Sequence, residues 1–223
     1  DFWAPDLIEY KGKYYIWGSF SGNNGKRGTS IVVADKPTGP FKPLVNESLT
    51  PANWMALDGT LYIDRKNKPW ILYCHEWLEV GDGEVVAQQL SGDLKKTVGE
   101  PVILFKASEG PWTGPIGGGG KSGYVTDAPF IYKAKNGELL MLWSSFTKSG
   151  KYAIGVARSV SGNVTGPWKQ DAQPINDDDG GHAMIFKDFN GELKISYHAP
   201  NSKAERPVIY SLKDEQGKLT IIK

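Results

Sequence analysis

WAPDLIEYKGKYYIWGSF (residues 3–20) is followed along the chain by three stretches of the same build: DGTLYIDRKNKPWILYCHEW (58–77), DAPFIYKAKNGELLMLWSSF (127–146) and HAMIFKDFNGELKISYHAP (182–200). Each opens on a distinctive residue, Trp3, Asp58, Asp127 or His182, then runs as a short apolar strand, a turn and a second apolar-aromatic strand. The opening residues lie 55, 69 and 55 positions apart, and self-similarity at a fixed period marks a repeat architecture. The second strands, YYIWGSF, WILYCHEW, LLMLWSSF and LKISYH, are nearly continuous apolar runs, as suits strands covered on both faces. Lys11-Gly12, Asn136-Gly137 and Asn190-Gly191 supply the positive-φ positions that tight turns need. A further strand follows each pair, over 29–35, 84–90, 152–159 and 206–212. The unit is therefore a three- to four-stranded meander repeated four times. Such units cannot protect their own edges, whereas radial stacking can. The sequence predicts one all-β domain over 1–223, a β-propeller.

Composition narrows the functional classes. With 26 Lys+Arg against 25 Asp+Glu and no basic stripe, neither nucleic acid nor an anionic membrane is expected as a partner. No apolar run approaches the roughly 18 residues of a membrane span. The one cysteine, Cys74, excludes an internal disulfide and, inside WILYC, reads as a packed core residue. Eight Trp and ten Tyr among 27 Gly and 14 Pro give the composition of strands cut by turns. The stretch GPIGGGGKSG (114–123) reads as a flexible loop on the face that carries Asp127. Asp177-Asp178-Asp179 reads as a solvated acidic loop, with cation binding as the alternative.

In a propeller the opening residues meet on one rim of the central channel, and the second strands end on the same rim. That gathers Ser19, Phe20, His75, Glu76, Trp77, Ser144, Ser145 and His198 there. Sugar rings stack on aromatic faces and are held by short polar groups. Trp3, His75, Trp77, Trp143, Ser145 and His198 are therefore the candidate substrate-binding residues. A single Asp at a strand start is ordinarily a turn or cap residue. Asp58 and Asp127 at repeat-equivalent positions are the catalytic candidates, because two carboxylates flanking a cavity are the minimum equipment for glycosidic cleavage. Mutual repulsion and burial would push their pKa values apart and set their roles. No HExxH, HxH or Cys cluster accompanies His182. It is a hydrogen-bonded structural residue, a water-linked cation ligand or a sugar contact.

WAPD (3–6), LDGTLYID (57–64), GEPVILF (99–105) with TDAPFIY (126–132), and GHAMIF (181–186) stand in an order that resembles glycoside hydrolase family 43 over essentially the whole chain. The resemblance implies a five-bladed β-propeller, about four blades of it represented here. It further implies inverting hydrolysis of arabinose- or xylose-containing polysaccharides by three central carboxylates, with no cofactor required for the chemistry. By motif position Asp58 matches the Asp that tunes the acid. Asp127 falls where the acid Glu is usual. His182 matches the channel His that often holds a calcium or sodium ion through water. The chain departs from the family pattern in two respects. The segment carrying the general base is expected upstream of Asp1, so residues 1–223 alone are expected to hydrolyse little or nothing. Asp127 is also one methylene shorter than Glu. Glu109, in SEGPW, spells the family's EGP phrase and is the alternative acid, although no repeat-type strand pair follows it. The competing functional class is a non-catalytic carbohydrate-binding propeller. Substrate logic implies a secreted or periplasmic protein, expected to be a monomer.

Overall fold

The computed structural model describes residues 2–22, 25–118 and 120–223. Four antiparallel four-stranded sheets follow one another, each a meander in chain order. The first blade is Phe2–Tyr10 (β1), Lys13–Ser21 (β2), Arg27–Ala34 (β3) and Lys42–Pro43 (β4); the second is Ala56–Ile63 (β5), Pro69–His75 (β6), Glu84–Leu90 (β7) and Thr97–Lys106 (β8). One helical turn, Trp77–Val80 (α1), follows β6, and a small hairpin, Ile116–Gly118 (β9) with Lys121–Gly123 (β10), precedes the third blade. That blade is Asp127–Lys133 (β11), Leu139–Phe146 (β12), Tyr152–Ser159 (β13) and Trp168–Gln170 (β14). The fourth is Gly181–Lys187 (β15), Leu193–His198 (β16), Pro207–Glu215 (β17) and Lys218–Ile222 (β18). This is the all-β propeller that the repeats predict, with β1, β5, β11 and β15 as inner strands.

The apolar runs pack as two-faced strands should. Successive side chains on a strand point to opposite faces, and here each face meets a different blade. On β6, Ile71 and Tyr73 join Trp17 and Ile31 of the first blade, while Leu72 and Cys74 join Met141 and Trp143 of the third. On β12, Leu140 and Leu142 join Ile185 and Ile195 of the fourth blade. The core is thus three layers between blades, and each fully buried aliphatic side chain in it contributes about 1.5–3 kcal/mol. Among the described residues, packing links the blades in the order first, second, third and fourth, with no comparable packing of β1 on β15. The outer flanks of the first and fourth blades leave Leu7 and Ile209 exposed.

Two loop expectations change. The Gly-rich stretch is not simply a flexible loop: it forms the paired strands β9 and β10, and Gly123 lies so close to the Trp77 ring and the Gly81 carbonyl that a side chain there would collide. Gly119 lies outside the described residues. In the acidic triplet Asp177 is exposed as expected, whereas Asp178 and Asp179 are tied to the fourth and third blades. Asp179 accepts the Tyr152 N–H at 2.8 Å, and Asp178 accepts the Tyr197 hydroxyl at 2.7 Å and pairs with Lys223 at 2.9 Å.

Each inner strand carries the same bulge. Register slips by one residue between Trp3 and Asp6, Leu57 and Thr60, Asp127 and Phe130, and Gly181 and Met184. The residue after the first of each pair has positive φ: Ala4 (52°), Asp58 (58°), Ala128 (50°) and His182 (61°). A non-glycine residue in that region is strained by roughly 1–2 kcal/mol, so its recurrence in all four blades marks a constraint of the architecture. It also corrects the alignment of the repeats. Trp3 and Asp127 share one register position with Leu57 and Gly181. Asp58 and His182 share the next one with Ala4 and Ala128.

Candidate active site

The bulges aim side chains into one cavity of about 1080 Å³ that all four inner strands line. Trp3, Asp58, Asp127 and His182 all reach it, as do Trp77 and His198. Three other candidates do not. Trp143 is fully buried between the second and third blades, against Phe105 and Trp112, its indole N–H bonded to Gln170. Ser145 is fully buried. His75 is clamped between Glu84 (3.1 Å) and Glu79 (3.0 Å) with Trp54 stacked on its ring. Trp143 and Ser145 lie on either side of Ser144 on β12, so the alternation of the strand turns both to the face opposite to that of Ser144. Glu109 turns away as well: it caps its own short turn by accepting the Lys106 N–H at 2.8 Å and is exposed.

A serine sets each of two bulges. Ser19, opposite Trp3 on β2, accepts the Asp58 N–H at 2.8 Å, and Ser144, opposite Asp127 on β12, accepts the His182 N–H at 2.9 Å. The equivalent position on β6, opposite Leu57, is Cys74. There the bulge N–H, that of Ala128, goes instead to Oδ2 of Asp58 at 3.2 Å. Replacing a hydroxyl by a weak thiol acceptor thus leaves Asp58 to hold the backbone beside Asp127.

Both carboxyls are pushed up to about 7. Burial is the main cause for each. Asp58 is held down in part by the Ala128 N–H and Ser19, whereas Asp127 is raised further by the charge of Asp58 and held down by the Tyr152 hydroxyl, which donates to its Oδ2 at 2.8 Å. His182 Nδ1 lies 3.8 Å from Asp58 Oδ2, and desolvation holds its imidazole below the ordinary value.

Three residues of the cavity escaped a role in the sequence reading. Glu76, noted only as a rim residue, lines the wall and is raised by burial against the opposing effect of Arg27. Tyr152 opens a third strand, where nothing in the pattern distinguishes it from a packing tyrosine. Asp6 was visible only as the last letter of WAPD. Its Oδ2 accepts the Thr60 hydroxyl at 2.5 Å, its Oδ1 is buried without a partner, and burial raises its pKa. The donor set does not suit a cation held directly by side chains, which calls for several oxygen ligands. Among the described residues no three His, Cys, Asp or Glu groups come together as ligands, His182 included. No helix of the described residues is long and apolar enough to cross a membrane.

These features define a β-propeller whose central cavity gathers buried carboxylates between aromatic walls. The sequence matches the model of Glycosyl hydrolases family 43 over residues 1–222, and the chain belongs to that family. The endo-arabinase of Bacteroides thetaiotaomicron VPI-5482 is similar at 60% identity and a TM-score of 0.95, over 98% of this chain and 77% of that one. A thermostable family-43 glycoside hydrolase is similar at 26% identity and a TM-score of 0.84, over 99% of this chain and 74% of that one. The extracellular endo-alpha-(1->5)-L-arabinanase 1 of Bacillus subtilis (strain 168) is 27% identical over 176 residues, which are 74% of this chain and 48% of that protein. The chain spans about half the length of this curated relative.

Proposed function

We propose that the protein is an inverting glycoside hydrolase of arabinose-containing polysaccharides, with chains of α-1,5-linked arabinose as its substrate. One observation carries the reading. Two carboxylates, the buried Asp58 and the half-buried Asp127, share one aromatic-walled cavity, and both are raised well above the usual carboxylate range by desolvation. Asp127, raised by burial and further by the charge of Asp58, holds its proton the more readily and serves as the general acid. It gives its proton to the glycosidic oxygen as the bond to the anomeric carbon breaks. Asp58 tunes it by charge and by gripping the Ala128 N–H. An ionised carboxylate takes the proton of the water that attacks from the opposite face, as inversion requires. Trp3, Trp77 and His198 hold the sugars. A cation near His182, if part of the protein, would be held through water, and no step depends on it. The two similar arabinanases support this choice of substrate. The extracellular one supports secretion.

The test is a time course of anomeric proton signals during cleavage of a linear α-1,5-linked arabino-oligosaccharide by the full-length protein. Inversion gives the β-anomer first, with the α-anomer appearing later by mutarotation. Initial formation of the α-anomer would refute inversion, and calorimetric binding without product release would make the protein a sugar-binding propeller.

A further inference from the structure

Three residues from two blades meet on one wall of the cavity. Trp3, on β1, is 44% exposed and lines it. Arg27, the first residue of β3, lies behind, its guanidinium carbon 3.8 Å from the centre of a Trp3 ring. Glu76, between β6 and α1, lines the same wall and accepts from Nη1 of Arg27 through both carboxylate oxygens at 3.4 Å. The Glu76 backbone is pinned by its own N–H, which donates to the Met55 carbonyl at 2.8 Å.

The position of Arg27 is governed by the ring and not by its own hydrogen bonding. Charge-assisted N–H···O bonds run to about 2.7–2.9 Å, and both bonds to Glu76 are longer. The Nε–H of Arg27 is buried with no partner, an arrangement that buried donors rarely accept. Stacking against the indole face accounts for a guanidinium that leaves its other bonds imperfect. It covers one face of Trp3 and leaves the ring's exposed area to the cavity, while the same cation holds Glu76 beside it. A flat apolar face next to a carboxylate is the pairing that binds a sugar: C–H groups lie on the ring, and hydroxyls donate to the acid.

We propose that Trp3, Arg27 and Glu76 form one saccharide subsite, in which Trp3 and Glu76 touch the sugar and Arg27 is the positioning residue that fixes both. This rests on the carbohydrate reading above. Arg27 acts by removing the freedom of its two neighbours before the sugar arrives, so its contribution appears chiefly in binding.

The experiment measures KM, kcat, melting temperature and sugar-induced quenching of tryptophan fluorescence on the full-length protein, with a linear α-1,5-linked arabino-oligosaccharide as probe. Arg27→Gln and Glu76→Gln should each raise KM about tenfold, the size expected for losing one preorganised contact, with a smaller change in kcat when each variant is measured at its own pH optimum, since the charges of both residues also act on the catalytic carboxyls. The double variant should bind no worse than the weaker single one, since both break the same unit. Arg27→Lys keeps a cation over the ring and should recover part of the loss; it decides the matter on the same terms if Arg27→Gln does not fold. A lowered melting temperature with unchanged KM and quenching would make the cluster only a brace between blades and overturn the proposal. A wild-type protein that neither binds nor cleaves the probe would instead remove the carbohydrate reading on which it rests.

Discussion

Asp58 grips the strand that carries Asp127: its Oδ2 accepts the N–H of Ala128, the next residue, at 3.2 Å. The two carboxylates are therefore joined through the backbone as well as by charge, and each occupies a different step of the shared bulge. Asp127 sits before the turn of the strand, open to the cavity. Asp58 sits within it at positive φ, almost fully buried. The one-residue offset thus gives the two carboxylates different surroundings.

Cys74 is the reason the grip exists, since the first and third blades use a serine at this register position for the equivalent N–H. Cys74→Ser should let the new hydroxyl compete for the Ala128 N–H. Asp58 then loses a donor that stabilises its ionised form, and its pKa rises. The expected result is a pH profile of kcat/KM whose acidic limb moves to higher pH, with the fold intact by circular dichroism. An unmoved limb would show that Asp58 does not depend on this bond.

Tyr152 donates to Asp127 and so favours its carboxylate. Removing the hydroxyl in Tyr152→Phe should raise the Asp127 pKa and carry the alkaline limb of the profile upward by about one pH unit, the scale of one hydrogen bond to a charged group. A shift downward would mean that Asp127 is not the group whose proton is required.

Stability should respond in the opposite sense to activity. Asp58 and Asp127 have folded-state pKa values above those of the unfolded chain, so the folded protein binds more protons between the two values. Their stabilising contribution is complete below about pH 4 and is lost as pH rises through about 7. Asp58→Asn removes the buried charge and should raise the melting temperature at pH 8, by the equivalent of about 1 kcal/mol or more, while activity falls. Thermal scans of both proteins at pH 5 and pH 8 check this, the gain being larger at pH 8.

Much of the fold was legible because two-faced strands write themselves as unbroken apolar runs, and the meander repeats them four times. The rim was legible in part. Trp3, Asp58, Asp127 and His182 announced themselves by standing where the repeat changes residue, yet their supposed equivalence hid a bulge. A bulge adds one residue without altering composition, so spacing alone cannot reveal it. His75, Trp143 and Ser145 looked like rim residues because sequence gives the end of a strand but not which interface a given side chain enters. Arg27 was invisible for a different reason. It begins an otherwise ordinary third strand, and its contacts are with Trp3 and Glu76, which are 24 and 49 positions away.

The central claim is that Asp127 protonates the departing sugar. It is tested most directly by kcat/KM of the full-length protein and its Asp127→Asn variant on a linear α-1,5-linked arabino-oligosaccharide, beside an aryl arabinoside whose leaving group needs no proton. The account predicts a loss of about 10²–10⁴-fold on the oligosaccharide and a much smaller one on the aryl substrate. Equal losses on both, or an unchanged rate on the oligosaccharide, would contradict it.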